Sequence, residues 1–364
     1  MNNTKIYKDL YAFHPGYYVN QLIEDMEITQ EEFAQRMGVS AKTISLLVRG
    51  AIALSEDMAL KLSNMFGMSI DVWLNMQKEY TSKVLEIERE MNLDAQKEII
   101  KNIDYSYFVK LKFVSDTKDI SERIQNLCSC FRVFDLGVLK KPDLLANFRV
   151  GVKELQEKNI INANAWLQTA VNIGKSMDCV DFDEKKLLSY IPEIRSMTLQ
   201  KPDVFYPRLV EIFKQCGVSF VLLPKLKNCG INGAVKWIND KKVILAINNR
   251  MNYADVFWFT LFHEIKHVLQ KKITKTIVSG DCESDFDERL ENEADFFART
   301  TLIPIKEFND YIQNNYMITE RSIREFARSI NIHPGIVVGR LMRDKIIKPS
   351  YYQGLREKYT IVTS

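Results

Sequence analysis

Glycine and proline are scarce, 14 and 9 in 364 residues, which excludes a collagen-like or low-complexity chain. Charge of one sign is also lacking. Fifty Lys and Arg against 47 Asp and Glu leave a net charge of +3, so no overall field argues for nucleic acid or a membrane, and such partners must be read locally. The heptad Val256 to Phe262, apolar except for Thr260, falls far short of the roughly 20 residues that cross a bilayer, and no membrane partner is expected. Six cysteines, at 128, 130, 179, 216, 229 and 282, are too scattered for a disulfide framework and fit reduced thiols. The stretch Met1 to Leu10 has neither the apolar core nor the small-residue cleavage site of an export signal, so the expected location is the cytoplasm. Histidine is rare, with four in the chain, and their positions are therefore informative.

What remains is a globular composition, 46% apolar and 27% charged, long enough for two or three domains. Up to residue 80 the apolar residues recur three and four apart (Leu22, Ile23, Met26; Phe33, Ala34, Met37; Ile44, Leu47), which predicts a bundle of short helices. Residues 81–199 read as a charged connecting helix followed by a helical middle without chemistry. Cys128 and Cys130 lack a nearby His or second pair and read as ordinary thiols. From 200 to 345 the period switches to strands, with Val218 to Leu223 and a hairpin of Ala234–Ile238 and Val243–Ile247, then to two long helices at about 253–271 and 286–301. Residues 346–364 form a tail without a motif. The expected fold is multidomain and mainly α with a small β-sheet: a helix-turn-helix bundle, a helical middle and a C-terminal α+β domain.

Two of the four histidines fall within five residues, His263-Glu264-Ile265-Lys266-His267. A spacing of four puts both imidazoles on one helix face, where they reach one Zn²⁺, with Glu264 beside the water such an ion activates. Catalytic zinc needs a third protein ligand and an open position. Glu291-Asn-Glu-Ala-Asp295 starts 24 residues after His267 and carries two carboxylates four apart, next to the small Ala294 and Ala298. Glu291 is the expected ligand and Asp295 the outer acceptor for an imidazole N–H, while Glu293, on another face, is expected in solvent. The residues suggest peptide hydrolysis with Glu264 as general base, the peptide lying along Ala234–Ile238 or Val243–Ile247 if either is an edge strand. His333, Tyr253 and Tyr316 are the candidate oxyanion donors, with nothing in the sequence to choose among them.

Near the start, Thr29-Gln-Glu-Glu32 predicts a capping box, and Gly38 the turn before a second helix opening after Ser40. This is helix-turn-helix spacing. On the exposed face of the second helix Ala41, Lys42, Ser45 and Leu46 would meet base edges, Gln30 and Arg49 would sit near phosphates, and Ser40 belongs to the same DNA-binding set. Residues 1–79 carry seven Lys and Arg against ten Asp and Glu, so Lys42 and Arg49 must supply much of the attraction to double-stranded operator DNA, helped by a homodimer through this domain.

The run His263 to His267, followed by Glu291-Asn-Glu-Ala-Asp-Phe-Phe-Ala298 and Leu302-Ile-Pro304, closely resembles the ImmA/IrrE metallopeptidase family, as does the later segment Ile332 to Leu341. The resemblance implies a gluzincin-like zinc metalloendopeptidase in which His263, His267 and Glu291 hold zinc, Glu264 is the base and the substrate is a repressor-type protein. From His14-Pro-Gly16 to Trp73-Leu-Asn75 the chain resembles HigA-like antitoxins of the xenobiotic-response-element type, which implies binding to their own operator. The expected protein is thus a DNA-binding regulator that cuts a partner repressor or antitoxin. Its rivals are a HigA-like repressor whose zinc domain senses or scaffolds, and an autoprotease.

Overall fold

The computed structural model describes residues 3–141, 156–248, 253–270 and 283–360, without the side chains of 283–288. Cys282 lies outside them. The chain divides into two compact units, Met1–Glu98 and Ile99–Ser364.

The first unit opens with an antiparallel hairpin that the sequence reading did not foresee, β1 (Thr4–Tyr7) and β2 (Leu10–Phe13). Helices α1 (Pro15–Asp25), α2 (Gln30–Met37), α3 (Ala41–Val48) and α4 (Glu56–Phe66) follow, and then α5 (Ile70–Ile100). Thr29 Oγ1 accepts from Glu32 N at 3.1 Å, and Ser40 Oγ accepts from Thr43 N at 3.1 Å, so both helices of the motif start where expected. The reciprocal half of the capping box is absent, because the Glu32 carboxylate pairs with Arg36 one turn on. Gly38 closes α2 at φ +63°, a conformation costly for residues with a Cβ. Phe33, Ala34, Ile44, Leu47 and Trp73 are buried together, so the apolar spacing has become one core. The charged segment after residue 80 continues α5, and Tyr7 and Lys8 hold the hairpin to it through Asp94 at 2.8 and 2.5 Å.

In the second unit α6 (Tyr105–Lys110), α7 (Ile120–Phe131), α8 (Glu157–Ser176), α9 (Glu184–Ser196) and α10 (Pro202–Gln215) precede the sheet strands β3 (Val218–Leu223), β4 (Gly233–Trp237) and β5 (Val243–Asn248). The order is β3-β5-β4, with β5 parallel to β3 and antiparallel to β4. All of β3 and β5 is buried, as a strand covered on both faces must be. Val243, Leu245 and Ile247 join the main core, while Ile244 packs on α8 so closely that a Cβ at Gly174 would lie 2.8 Å from it. The helical middle thus covers one face of the sheet. Trp166 Nε1 and Tyr107 Oη tie it further by donating to the Pro224 carbonyl at 3.2 and 2.7 Å. One expectation is corrected here: Val243–Ile247 cannot be an edge strand, because β5 is bonded on both sides. β3 and β4 are the two edges of this sheet, so of the two candidate docking strands only β4 keeps a free side among the described residues.

Five helices complete the unit: α11 (Ala254–Leu269), α12 (Glu283–Leu302), α13 (Ile305–Asn314), α14 (Glu320–Ser329) and α15 (Pro334–Arg343). The tail is not idle. Tyr359 Oη accepts from Trp258 Nε1 at 2.9 Å, and Arg356 forms a buried pair with Asp255 at 2.8 Å. Among the described residues no helix is long and apolar enough to cross a membrane.

Candidate metal centre and helix-turn-helix face

Phe257, Trp258, Leu261, Phe262, Ile265 and Val268 bury one side of α11 in the core, which fixes the rotation of the helix and turns His263 and His267 toward α12. Ala294 and Ala298, both fully buried, let α12 approach. The result brings His263, His267 and Glu291 together, with ligand atoms all within 4.8 Å of one another. The two Nε2 atoms are 3.0 Å apart, and the Glu291 oxygens stand 3.4 Å from His263 Nε2 and 3.5 Å from His267 Nε2. Bonds of about 2.0–2.1 Å in a tetrahedron imply donor separations of about 3.3–3.4 Å, so the three donors fit one small divalent ion.

The outer contacts select the needed tautomers. His263 Nδ1 faces Asp295 Oδ1 at 3.0 Å, and His267 Nδ1 faces Gln270 Oε1 at 2.8 Å, so each ring can donate its Nδ1 proton outward and, once its Nε2 proton is displaced, turn that nitrogen's lone pair to a metal. Asp295 stands where the spacing put it. Gln270 was missed, although it follows His267 by three residues, as the C-cap of the same helix. Glu293 keeps 43% of its side chain exposed, as a charge in solvent does, and also lies 3.3 Å from Gln270 Nε2 and 3.9 Å from Lys266. Arg343 was missed as well, and it donates to Asp295 Oδ2 at 2.6 Å.

Electrostatics follow from this crowding. Burial alone would lower the His263 pKa, but the bonds to Asp295 and Glu291 outweigh it and hold the ring at about 10. His267 is raised by Glu291 in the same way against burial. Burial pushes Glu291 up, yet the two imidazoles bring it down to about 2. Glu264 is raised by burial, the opposing charges of His267 and His263 being the smaller effect. Room for it is made by Gly233 at the start of β4, where a Cβ would come within 2.6 Å of Glu264 Cγ and Oε1.

A cavity of about 630 Å³ opens beside His263 and Glu264, lined also by Gly233, Phe259, Asp295 and Arg343. None of the candidate oxyanion donors lines it. His333 caps α15, its Nδ1 accepting from Gly335 N at 3.1 Å, as His14 caps α1 by accepting from Gly16 N at 2.9 Å. Tyr316 is wholly exposed, and the Tyr253 ring lies 3.9 Å below the Arg356 guanidinium. Among the described residues no other group of three or more His, Cys, Asp or Glu is placed to hold a metal, Cys128 and Cys130 included.

On the helix-turn-helix, Ser40, Ala41, Lys42 and Arg49 are exposed, and Ser45 and Gln30 are half-buried. Ser40 Oγ is occupied as a cap. Arg49 folds back on α3 and donates to Ser45 Oγ at 2.6 Å. Lys42 has no ion pair among the described residues.

Residues 231–342 match the peptidase family described as IrrE N-terminal-like domain, and residues 19–73 match the family described as helix-turn-helix. The chain thus carries a helix-turn-helix domain near its N-terminus and an IrrE-like domain in its C-terminal part. That first domain is similar to an HTH-type transcriptional regulator, YddM, of Escherichia coli, 31% identical over 86 residues that are 22% of this chain and 92% of the relative. It is also similar to Antitoxin HigA-1 of Vibrio cholerae, 37% identical over 57 residues, 16% of this chain and 53% of the antitoxin. A solved structure of a putative antidote protein of a plasmid maintenance system from Nostoc punctiforme is 28% identical and covers 22% of this chain and 89% of its own, at a TM-score of 0.21. The histidines and carboxylates of the centre all fall inside the IrrE-like match.

Proposed function

We propose that this protein is a DNA-binding transcriptional regulator whose IrrE-like domain is a gluzincin-like, zinc-dependent endopeptidase that cuts a partner protein of repressor or antitoxin type. The observation that carries the reading is the set of three donors at tetrahedral spacing with a buried carboxylate, Glu264, beside them at the wall of an open cavity. His263, His267 and Glu291 would hold the zinc. When bound, it would lower the pKa of water and polarise the scissile carbonyl. Glu264 takes the proton from the attacking water and passes it to the leaving nitrogen, a role suited to a carboxylate whose pKa burial has raised. Asp295 and Gln270 fix the imidazoles. The substrate lies antiparallel along the free side of β4, next to Gly233 and Glu264, and is read more by backbone than by side chain.

The helix-turn-helix brings the protease to operator DNA in the cytoplasm, as a homodimer, with Ala41, Lys42 and Ser45 toward bases and Gln30, Ser40 and Arg49 toward phosphates. The identity with a HigA antitoxin favours a second reading, a repressor in which the metal domain senses or scaffolds. Incubating wild-type and Glu264→Gln protein with the products of neighbouring genes separates the two. A new fragment by mass spectrometry from the wild type alone supports proteolysis. Operator binding with no fragment from either supports the repressor.

A further inference from the structure

The cavity wall beside the metal centre carries more positive charge than its own carboxylates neutralise. Asp295 spends Oδ1 on His263 and Oδ2 on Arg343. Arg299, one turn further along α12, stands with Nη2 3.9 Å from Asp295 Oδ2, beyond hydrogen-bond reach, and its Nε has no partner among the described residues. Arg343 uses Nη2 alone, and its guanidinium is held 4.2 Å over the Phe259 ring, which fixes its plane. Both arginines line the cavity and are partly open to it, at 35% and 40% side-chain exposure. The other two arginines of the wall are each matched by a carboxylate of their own: Arg340 by Asp344 at 2.5 Å and Arg356 by Asp255 at 2.8 Å. Two guanidiniums therefore share one carboxylate that an imidazole already uses.

We propose that Arg299 and Arg343 form a subsite for a carboxylate side chain, so that the chain cut by this protein presents an Asp or Glu within a residue or two of the scissile bond. A guanidinium fork matches a carboxylate with two parallel N–H donors, and the apolar Phe259 and Leu302 in the same wall strengthen that pairing by excluding water. An arginine without a hydrogen-bonded acceptor, facing a cavity next to the reacting centre, is where a substrate acceptor belongs. The subsite rests on the zinc-endopeptidase reading, and its test separates the two.

Three amide-capped peptide hydroxamates serve as probes, one neutral and two with aspartate in place of alanine at the first or second position after the zinc-binding group. Their binding to the zinc-loaded, full-length wild type is measured by calorimetry. At least one aspartyl probe is expected to bind about tenfold tighter than the neutral one, an advantage that shrinks with added salt and is lost in Arg299→Gln. Equal binding of all three, or tighter binding of the neutral probe, overturns the subsite and leaves the metal centre standing. Failure of every probe to bind overturns the metal centre and the subsite with it. The wild-type comparison decides even where Arg299→Gln does not fold.

Discussion

Asp295 is the residue through which the rest of the domain reaches the metal donors, and its removal gives a measurable quantity. Its Oδ1 takes the His263 Nδ1 proton at 3.0 Å, and its Oδ2 takes Arg343 at 2.6 Å. Asp295→Ala leaves His263 free to turn and to change tautomer, and it leaves the Arg343 charge unneutralised beside a divalent ion. Loss of such an outer partner costs about 10–100-fold in metal affinity, or about 1.4–2.7 kcal/mol. The stranded arginine adds Coulomb repulsion, so the upper half of that range is expected. Asp295→Asn keeps an acceptor for Nδ1 and loses mainly charge, which places it near the lower end. Gln270→Ala removes a neutral partner from His267 and should resemble Asp295→Asn. The assay is a chelator competition titration of metal-stripped protein with zinc at fixed pH and salt. Zinc affinity of Asp295→Ala within about twofold of wild type would refute the reasoning, since it would mean that His263 needs no outer hold.

Glu264→Gln should retain zinc and lose about 10²–10⁴-fold in cleavage rate, read as metal content together with fragment yield. Gly233→Ala should displace Glu264, because its Cβ would sit 2.6 Å from Glu264 atoms, and cost about 1–3 kcal/mol in denaturant unfolding along with the activity. In the metal-free protein His263 is held up at about 10, so its contribution to stability is complete below the unfolded value near 6.5 and is lost as pH rises toward 10. Zinc competes with those protons, so the gain in melting temperature on zinc binding should widen over the same window, and a gain independent of pH would contradict it. Arg49→Ala should weaken operator binding across all sequences and reduce the slope of log affinity against log salt by about one, while Lys42→Ala should weaken it and relax the base preference at the position it reads.

The grouping of His263, His267 and Glu291 was legible because chemistry leaves a local signature. A helix face repeats every 3.6 residues, so histidines four apart and carboxylates four apart declare shared faces before any fold is known. The helix-turn-helix was legible for the same reason, through Thr29, Gly38 and Ser40. Partners brought by tertiary packing left no such mark. Arg343 meets Asp295 across 48 residues, and Arg356 meets Asp255 across 101. Nothing in the local pattern around Arg356 tells a buried pair from a solvated tail. Gly233, just before the expected strand Ala234–Ile238, carries no local mark of the Glu264 side chain that packs against it. The role of β5 was misjudged because a hairpin shows which strands pair with each other but not that β3, 25 residues before Val243, takes the other side.

Zinc content decides most directly whether these donors act together. Protein purified without chelator should carry close to one zinc per chain in the wild type and in Glu264→Gln, and almost none in His263→Ala, His267→Ala or Glu291→Ala that remain folded by circular dichroism. Full zinc occupancy in a folded Glu291→Ala chain, or none in the wild type, would contradict the metal centre as drawn.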